Sequence, residues 1–339
     1  MPHAAVQGKS GEPMFTWWKP AVFQGSLRKS GYFEGWYFKN VSRDETAACA
    51  VIPGVSLPGD REKAHAFVQF YDARGGTSSF FRYPLSDFHA DKDVFELRIG
   101  KNLFTLNRVH LDIDQEGETI RAELHYRNIH PWPVTRLSPG AMGWYAFVPG
   151  MECYHGVLSF NHDIEGFCEA GGRRTDFTGG KGYMEKDWGT SMPSSWIWMQ
   201  SNHFDEPEAS FFGSIAKIPW FGRYFTGYLF GFYFRGEVYR FTTYTGARVK
   251  HLRVDEDLIT LRVEDAEFCM EISGERVGGA RLMAPKTGGM TVRINETLNS
   301  SIRLRFSRKK GAGRIYSGMG RNAGLEYVGD VQELTAGFK

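Results

Sequence analysis

Acid chemistry in an apolar pocket needs a carboxyl group shielded from water, a base, and rings or amides that hold a substrate in place. One stretch of this sequence carries every one of these. Gly182-Tyr-Met-Glu-Lys-Asp-Trp-Gly189 is followed closely by Ser195-Trp-Ile-Trp-Met-Gln-Ser-Asn-His-Phe204. Read as a β-strand, the second segment puts Trp196, Trp198, Gln200, Asn202 and Phe204 on one face and Ser195, Ile197, Met199, Ser201 and His203 on the other. Two indoles followed by two amides suit a pocket that is apolar at one end and hydrogen-bonding at the other. Glu185 and Asp187 share a face if their segment is extended. The competing reading is that large aromatics simply fill a β core.

A second patch is Phe33-Glu-Gly-Trp-Tyr-Phe-Lys39. Here Glu34, Trp36 and Phe38 alternate to one face, opposite Phe33, Tyr37 and Lys39. A carboxylate between aromatics is unusual for a solvent-facing Glu; the alternative is a salt bridge to Lys186 or to an arginine. Glu185 could pair with Lys181 or Lys39 in the same way. His155, on a face with Val157 and Ser159, is a candidate base or a satisfied core histidine. His203 alternates away from the two indoles. Gln200 and Asn202 suit the orientation of hydroxyl or carbonyl oxygens, because neutral amides pair either way.

The elements that must position these residues read as strands. Short runs of β-branched and aromatic residues, each closed by Gly, Asn, Asp or Pro, predict strands near 32–40, 47–53, 64–72, 78–83, 103–115, 118–127 and 153–162. Others follow near 181–186, 195–204, 209–218, 223–234, 236–244, 257–263, 266–273, 279–284, 290–297, 301–307 and 325–332. Arg235-Gly236 and Glu264-Asp265 sit where hairpins should turn. No long stretch has helical periodicity, so helices should be few and short and the chain all-β. Residues 1–14 read as a loose lead-in. Segments 128–149 and 171–180, rich in Gly and Pro or Gly alone, read as irregular rims. The polar break Asp205-Glu-Pro-Glu208 is the preferred domain boundary, giving units 15–206 and 207–339.

Composition narrows the function. Of 339 residues, 42% are hydrophobic and 24% charged, ordinary for a globular protein; 27 Phe, 15 Tyr, 9 Trp and 40 Gly favour strands and tight turns. A net charge of +2 points to no nucleic-acid partner. Cys49, Cys153, Cys168 and Cys269 lack metal or disulfide spacing, and the histidines show no ligand motif, so no metal is expected. Neither a secretory leader nor an uninterrupted apolar span is visible, which predicts a cytoplasmic protein without a transmembrane segment, free to touch a membrane surface transiently. No dinucleotide loop or serine elbow occurs, and no cofactor is expected.

Taken together, Phe33–Lys39, Tyr183–Gly189 and Pro193–Asn202 resemble the tocopherol cyclase family, including its bacterial members. Ala284-Pro-Lys-Thr-Gly-Gly289 and Ala323-Gly-Leu-Glu-Tyr-Val328 add weaker matches, so the resemblance runs from about residue 30 to 332. It implies two consecutive lipocalin-like antiparallel β-barrels with a ligand pocket near their junction. It also implies a cofactor-independent enzyme that closes a prenylated hydroquinone, or a related terpenoid, into a chromanol-type ring. Glu34 and Glu185, with Asp187, would supply the acid. Trp36, Trp188, Trp196 and Trp198 would form the π wall, Tyr37, Gln200 and Asn202 would complete the pocket, and His155 or His203 would be the base. Plant members carry Asn where this chain has Asp187. The alternatives are a non-catalytic carrier of a hydrophobic ligand and an isoprenoid hydratase.

Overall fold

The structure, a computed structural model, describes residues 16–310 and 313–338. The lead-in at 1–14 and the terminal positions 15 and 339 of the two expected units lie outside the described residues. The described chain is all-β, with short 3-10 turns and one six-residue α-helix, Val331–Ala336. Asp330 starts that helix by accepting a hydrogen bond from the Gln332 N–H.

Two large antiparallel sheets make up the fold, beside a two-stranded ribbon of Val134–Thr135 and Ser138–Pro139. The first has 12 strands and the second 10. At the centre of the first, Tyr32–Val41 pairs with Ala48–Leu57 on one side and Gly180–Gly189 on the other, and Gly180–Gly189 pairs in turn with Cys153–Ala170. At the centre of the second, Trp196–Ser201 lies between Ala209–Trp220 and Arg314–Val328. The Trp196–Ser201 strand precedes the break at 205–208, yet it is hydrogen-bonded into the second sheet. Sequence reading found many of the strands but missed Phe88–Ala90, Glu96–Ile99, Arg173–Asp176 and Arg248–Val254, placed only the end of Arg314–Val328, and split Gly289–Arg308, which runs continuously for 20 residues.

Neither sheet closes, which corrects the expected barrels. The edge strands of the first, Thr77–Tyr83 and Phe88–Ala90, are consecutive in sequence but are not paired. Pro84 and the 3-10 turn Leu85–Asp87 intervene, and a proline has no N–H to offer a ladder. The two edges still converge on one core: Phe81, Tyr83 and Phe88 share it with Leu97, Ile99 and Trp36. The second sheet wraps a core of its own around Ile197, Phe232 and Leu304. Its edges, Glu237–Thr242 and Arg248–Val254, likewise stay unpaired. Each sheet is therefore open and curled.

Side-chain alternation then creates a third apolar layer where the sheets meet back to back. On the first sheet, Tyr37 and Tyr183 face this junction, while Trp36, Phe38 and Met184 face the first core. On the second, Trp196 and Trp198 face the junction, while Ile197 and Met199 face the second core. In the strand Cys153–Ala170, Val157 and Phe160 both reach the junction although they are three apart. A bulge between Val157 and Ser159 makes that change of parity. Phe204 departs from the strand reading: regular pairing stops at Ser201, and Phe204 packs into the second core.

The same alternation carries Glu34 away from the junction. Glu34 and Lys186 form a fully buried ion pair at 2.6 Å inside the first sheet. Glu34 also accepts from the Tyr32 hydroxyl and the Gln24 and Gly25 N–H groups, while Lys186 donates to the Pro20 and Val22 carbonyls. Lys186 sits 4.8 Å from both the Trp36 and Trp188 ring centroids. The pair thus fastens segment 20–25 over the core. Removing one partner leaves an uncompensated buried charge, so Lys186→Met should cost about 3–5 kcal/mol in urea unfolding. Adding Glu34→Gln should recover part of that loss; full additivity of the two losses would contradict the pairing.

Candidate active site

Two cavities open in the junction and share a wall. The first is lined by His155, Trp196, Ser214, Tyr145 and Phe225 among others. The second lies between the Tyr32–Val41 and Gly289–Arg308 regions and is lined by Phe33, Tyr37, Ile52, Leu282, Ala284 and Ile294. Each has about 100 Å³ of free space, several times what one water needs. Both are bounded by Glu185, Asp187, Met192, Trp198 and Glu326. The partition between two largely apolar lobes is thus built from carboxyl groups and an indole.

Glu185 stands at the centre of that partition. Its Oε2 accepts from the Tyr183 hydroxyl at 2.6 Å and from the Trp198 indole N–H at 2.9 Å. The His155 Nε2 lies 3.6 Å from the same oxygen, too far for a hydrogen bond, and is a buried nitrogen without a hydrogen-bond partner. His155 Nδ1 is held by Asp187 Oδ1 at 2.9 Å, and the imidazole stacks on Phe212 at 4.8 Å. With Nδ1–H donating to Asp187, Nε2 keeps its lone pair free toward Glu185 and the first lobe. Register supports this: His155 pairs with Asp187, and Val157 with Glu185, across neighbouring strands.

Burial governs the protonation of the group. It pushes the Glu185 pKa up, the Asp187 charge pushes further, and His155, Tyr183 and Trp198 pull back, leaving it at about 7. Glu296, which accepts from Tyr37, is raised by burial to about 8. Glu326, which accepts from the Trp196 indole at 2.5 Å, is held well above the carboxylate range by burial and by the charge of Glu296. Burial lowers His155, but the charges of Asp187 and Glu185 outweigh it and the net shift is upward. Lys39, donating to Gln200 at 2.8 Å, is lowered by burial to about 7.

The predicted residues therefore divide. Glu185, Asp187, His155, Trp196, Trp198 and Tyr37 come together around the two lobes. Glu34, Trp36 and Trp188 line neither lobe: Glu34 is locked to Lys186, Trp36 donates to the Ala21 carbonyl, and Trp188 stacks on Tyr154. Gln200 and Asn202 face the junction but are engaged by Lys39 and by the Gly182 carbonyl. His203 is buried and forms a bridge with Arg321. Sequence reading missed Glu296 and Glu326 as members of the site, and Gly324. A Cβ on Gly324 would stand 2.4 Å from the Trp198 ring, so the absence of a side chain there lets the indole lie flat. The signal for Glu326 was present in Gly324-Leu-Glu-Tyr-Val328, where a lone carboxylate alternates with glycine and valine.

Ligand atoms of His155, Glu185 and Asp187 lie within 4.8 Å of one another, the grouping among the described residues with donors suited to a metal ion. Histidine spacing along the chain could not reveal it, since the residues come from two neighbouring strands.

Comparison with known proteins agrees with this architecture. Residues 100–329 match the tocopherol cyclase-like family. Over 208 residues the chain is 27% identical to a probable tocopherol cyclase, chloroplastic, of Oryza sativa subsp. japonica, covering 58% of this chain and 43% of that protein. Over 200 residues it is 26% identical to a tocopherol cyclase, chloroplastic, of Zea mays, covering 57% of this chain and 42% of that protein. The chain thus spans less than half the length of these plant relatives. Among solved structures, CghA with Sch210972 superposes with a TM-score of 0.55 at 12% identity, over 88% of this chain and 89% of that one. An AttH structure from Nitrosomonas europaea gives 0.51 at 11% identity, over 88% and 92%. At such identities these structures share the fold alone. No helix among the described residues is long and apolar enough to cross a membrane. By its sequence match over most of its length, the chain belongs to the tocopherol cyclase-like family.

Proposed function

We propose that this protein is a cofactor-independent cyclase acting on a prenylated quinol or a closely related terpenoid. The observation that carries the reading is Glu185. It is a buried carboxyl group with a pKa raised to about 7, placed between two apolar lobes and beside an imidazole with an unengaged nitrogen. An alkene is a weak base and needs a carboxylic acid that keeps its proton at neutral pH. Glu185 delivers that proton to the tail double bond nearest the ring. The tertiary cation is stabilised by the facing indole of Trp198. The phenol oxygen bonds to the cationic carbon, and its proton passes to His155 Nε2, steadied by Asp187. From there it returns to Glu185 when the two side chains close their 3.6 Å separation in the substrate complex, so no proton is consumed.

A two-lobed cavity suits a two-part substrate. In the first lobe, His155 and Ser214 give the ring hydroxyls polar partners. In the second lobe, Tyr37 is occupied by Glu296, and Gln69 bonds to the Met283 backbone, which leaves hydrocarbon walls for the tail. The reacting bond then lies at the partition.

Purified protein supplied anaerobically with a phytylated or geranylgeranylated dimethylbenzoquinol should yield an optically pure chromanol. Glu185→Gln should lower kcat by about 10²–10⁴-fold while leaving quinol binding nearly intact. Unchanged quinol recovered bound to the protein would instead favour a carrier.

The rate should fall as pH rises through about 7, as the acid loses its proton. Stability should follow. Between its ordinary value of 4.5 and about 7, the folded Glu185 holds a proton that the unfolded chain has released, so its contribution falls as pH rises. Glu185→Gln should therefore gain thermal stability relative to wild type from pH 5 to 8; a constant difference would argue against a raised pKa.

Ala284→Phe, which fills the second lobe, should suppress turnover of long-tailed quinols and spare a single-isoprene analogue. Equal loss for both lengths would remove the tail from that lobe.

A further inference from the structure

The turn joining Ala209–Trp220 to Arg223–Phe234 has an unusual residue at its tip. Phe221 and Gly222 both adopt left-handed backbone conformations, with φ of 44° and 75°. The same X-Gly arrangement recurs at Glu116-Gly117, Arg235-Gly236 and Thr287-Gly288, where the first residue is polar. A bulky aromatic is disfavoured at positive φ, and asparagine is the residue such hairpin turns prefer. Phe221 is nevertheless 90% exposed, so little packing in the described chain offsets this strain. Strain retained with so little internal compensation points to function.

Its neighbours form a chain of ring contacts that reaches the lining of the first lobe. Phe221 meets Trp220 at 5.1 Å, and Trp220 meets Tyr145 at 6.0 Å. Tyr145 meets Phe225 at 6.0 Å, and both line the lobe. Trp144, 46% exposed, stacks on Tyr145 at 4.0 Å, and Tyr224 is 56% exposed. Indole and phenol rings, apolar in body and polar at one edge, are the side chains that settle at a membrane–water interface. Arg223 at the same tip is exposed and suits anionic headgroups.

We propose that the Phe221 tip, flanked by Trp144 and Tyr224, docks onto a phospholipid bilayer surface and turns the mouth of the first lobe toward it. This adds to the proposed function a route by which a lipid-dissolved substrate enters without crossing water. The docking itself holds whether the occupant of the lobe is turned over or merely carried.

The test is co-sedimentation of the full chain with phosphatidylcholine vesicles containing a minority of phosphatidylglycerol, with tryptophan emission recorded alongside. Wild type should pellet and shift its emission to the blue. Phe221→Asn gives the turn its preferred Asn-Gly pair, so it should fold at least as stably as wild type. It should nonetheless bind vesicles at least about tenfold more weakly, since one ring is withdrawn from lipid. Turnover of a water-dispersed single-isoprene quinol should be unchanged. Wild type remaining in the supernatant would overturn the proposal, as would equal pelleting of the variant. A lipid-free dimer abolished by Phe221→Asn would overturn it too, by showing that a second copy covers the tip.

Discussion

The carboxyl groups at the sheet junction are too many for the charge available to balance them. Glu185, Glu296 and Glu326 are buried there with Asp187 at the rim, and the cationic groups among them are Lys39 and His155. In a poorly solvated layer, like charges this close cannot all be ionised, so protons stay on the acids. Hydrogen-bond donors decide how they stay. Tyr37, Tyr183, Trp196 and Trp198 each give one N–H or O–H to a carboxyl oxygen, which makes burial tolerable without supplying a positive charge. The outcome is a set of buried acids whose pKa values are raised to neutral pH or above, beside one imidazole. Bulk water does not provide that condition.

The fold sustains it by placing opposite chemistry on opposite faces of the same strands. Lys186 alternates with Glu185 and pairs with Glu34 inside the first sheet, where the ion pair fixes segment 20–25. Were Lys186 one residue out of register, it would reach the junction and ionise the acid cluster. The antiparallel pairing of Tyr32–Val41 with Gly180–Gly189 is therefore as necessary to the site as the acids themselves. Gly324 serves the same end from the second sheet, by leaving room for the Trp198 ring.

Much of this was legible from alternation alone. The shared face of Trp196 and Trp198, the shared face of Glu185 and Asp187, and the hairpin at Arg235-Gly236 all follow from a period of two and a turn dipeptide. Alternation within one strand does not say which face of that strand meets another. Glu34 and Trp36 were drawn into the site as a carboxylate and an indole on one strand face, and Trp188 by the motif that it shares with Glu185, but their parity sends them to the first core. Glu296 and Glu326 reach Tyr37 and Trp196 across separations of 259 and 130 residues, which no local pattern encodes. Barrel closure was likewise not written locally. It depends on whether edge strands meet, and Pro84 with its 3-10 turn keeps one such pair apart.

Difference infrared spectroscopy of the carboxyl C=O stretch, recorded on wild type and on Glu185→Gln across neutral pH, tests the central claim most directly. A protonated-carboxyl band present below pH 7, lost as the pH rises through about 7 and missing in the variant, is the predicted result. A wild-type spectrum in which Glu185 is already carboxylate at pH 6 would contradict the account, because the carboxyl group between the two lobes would then hold no proton to give an alkene.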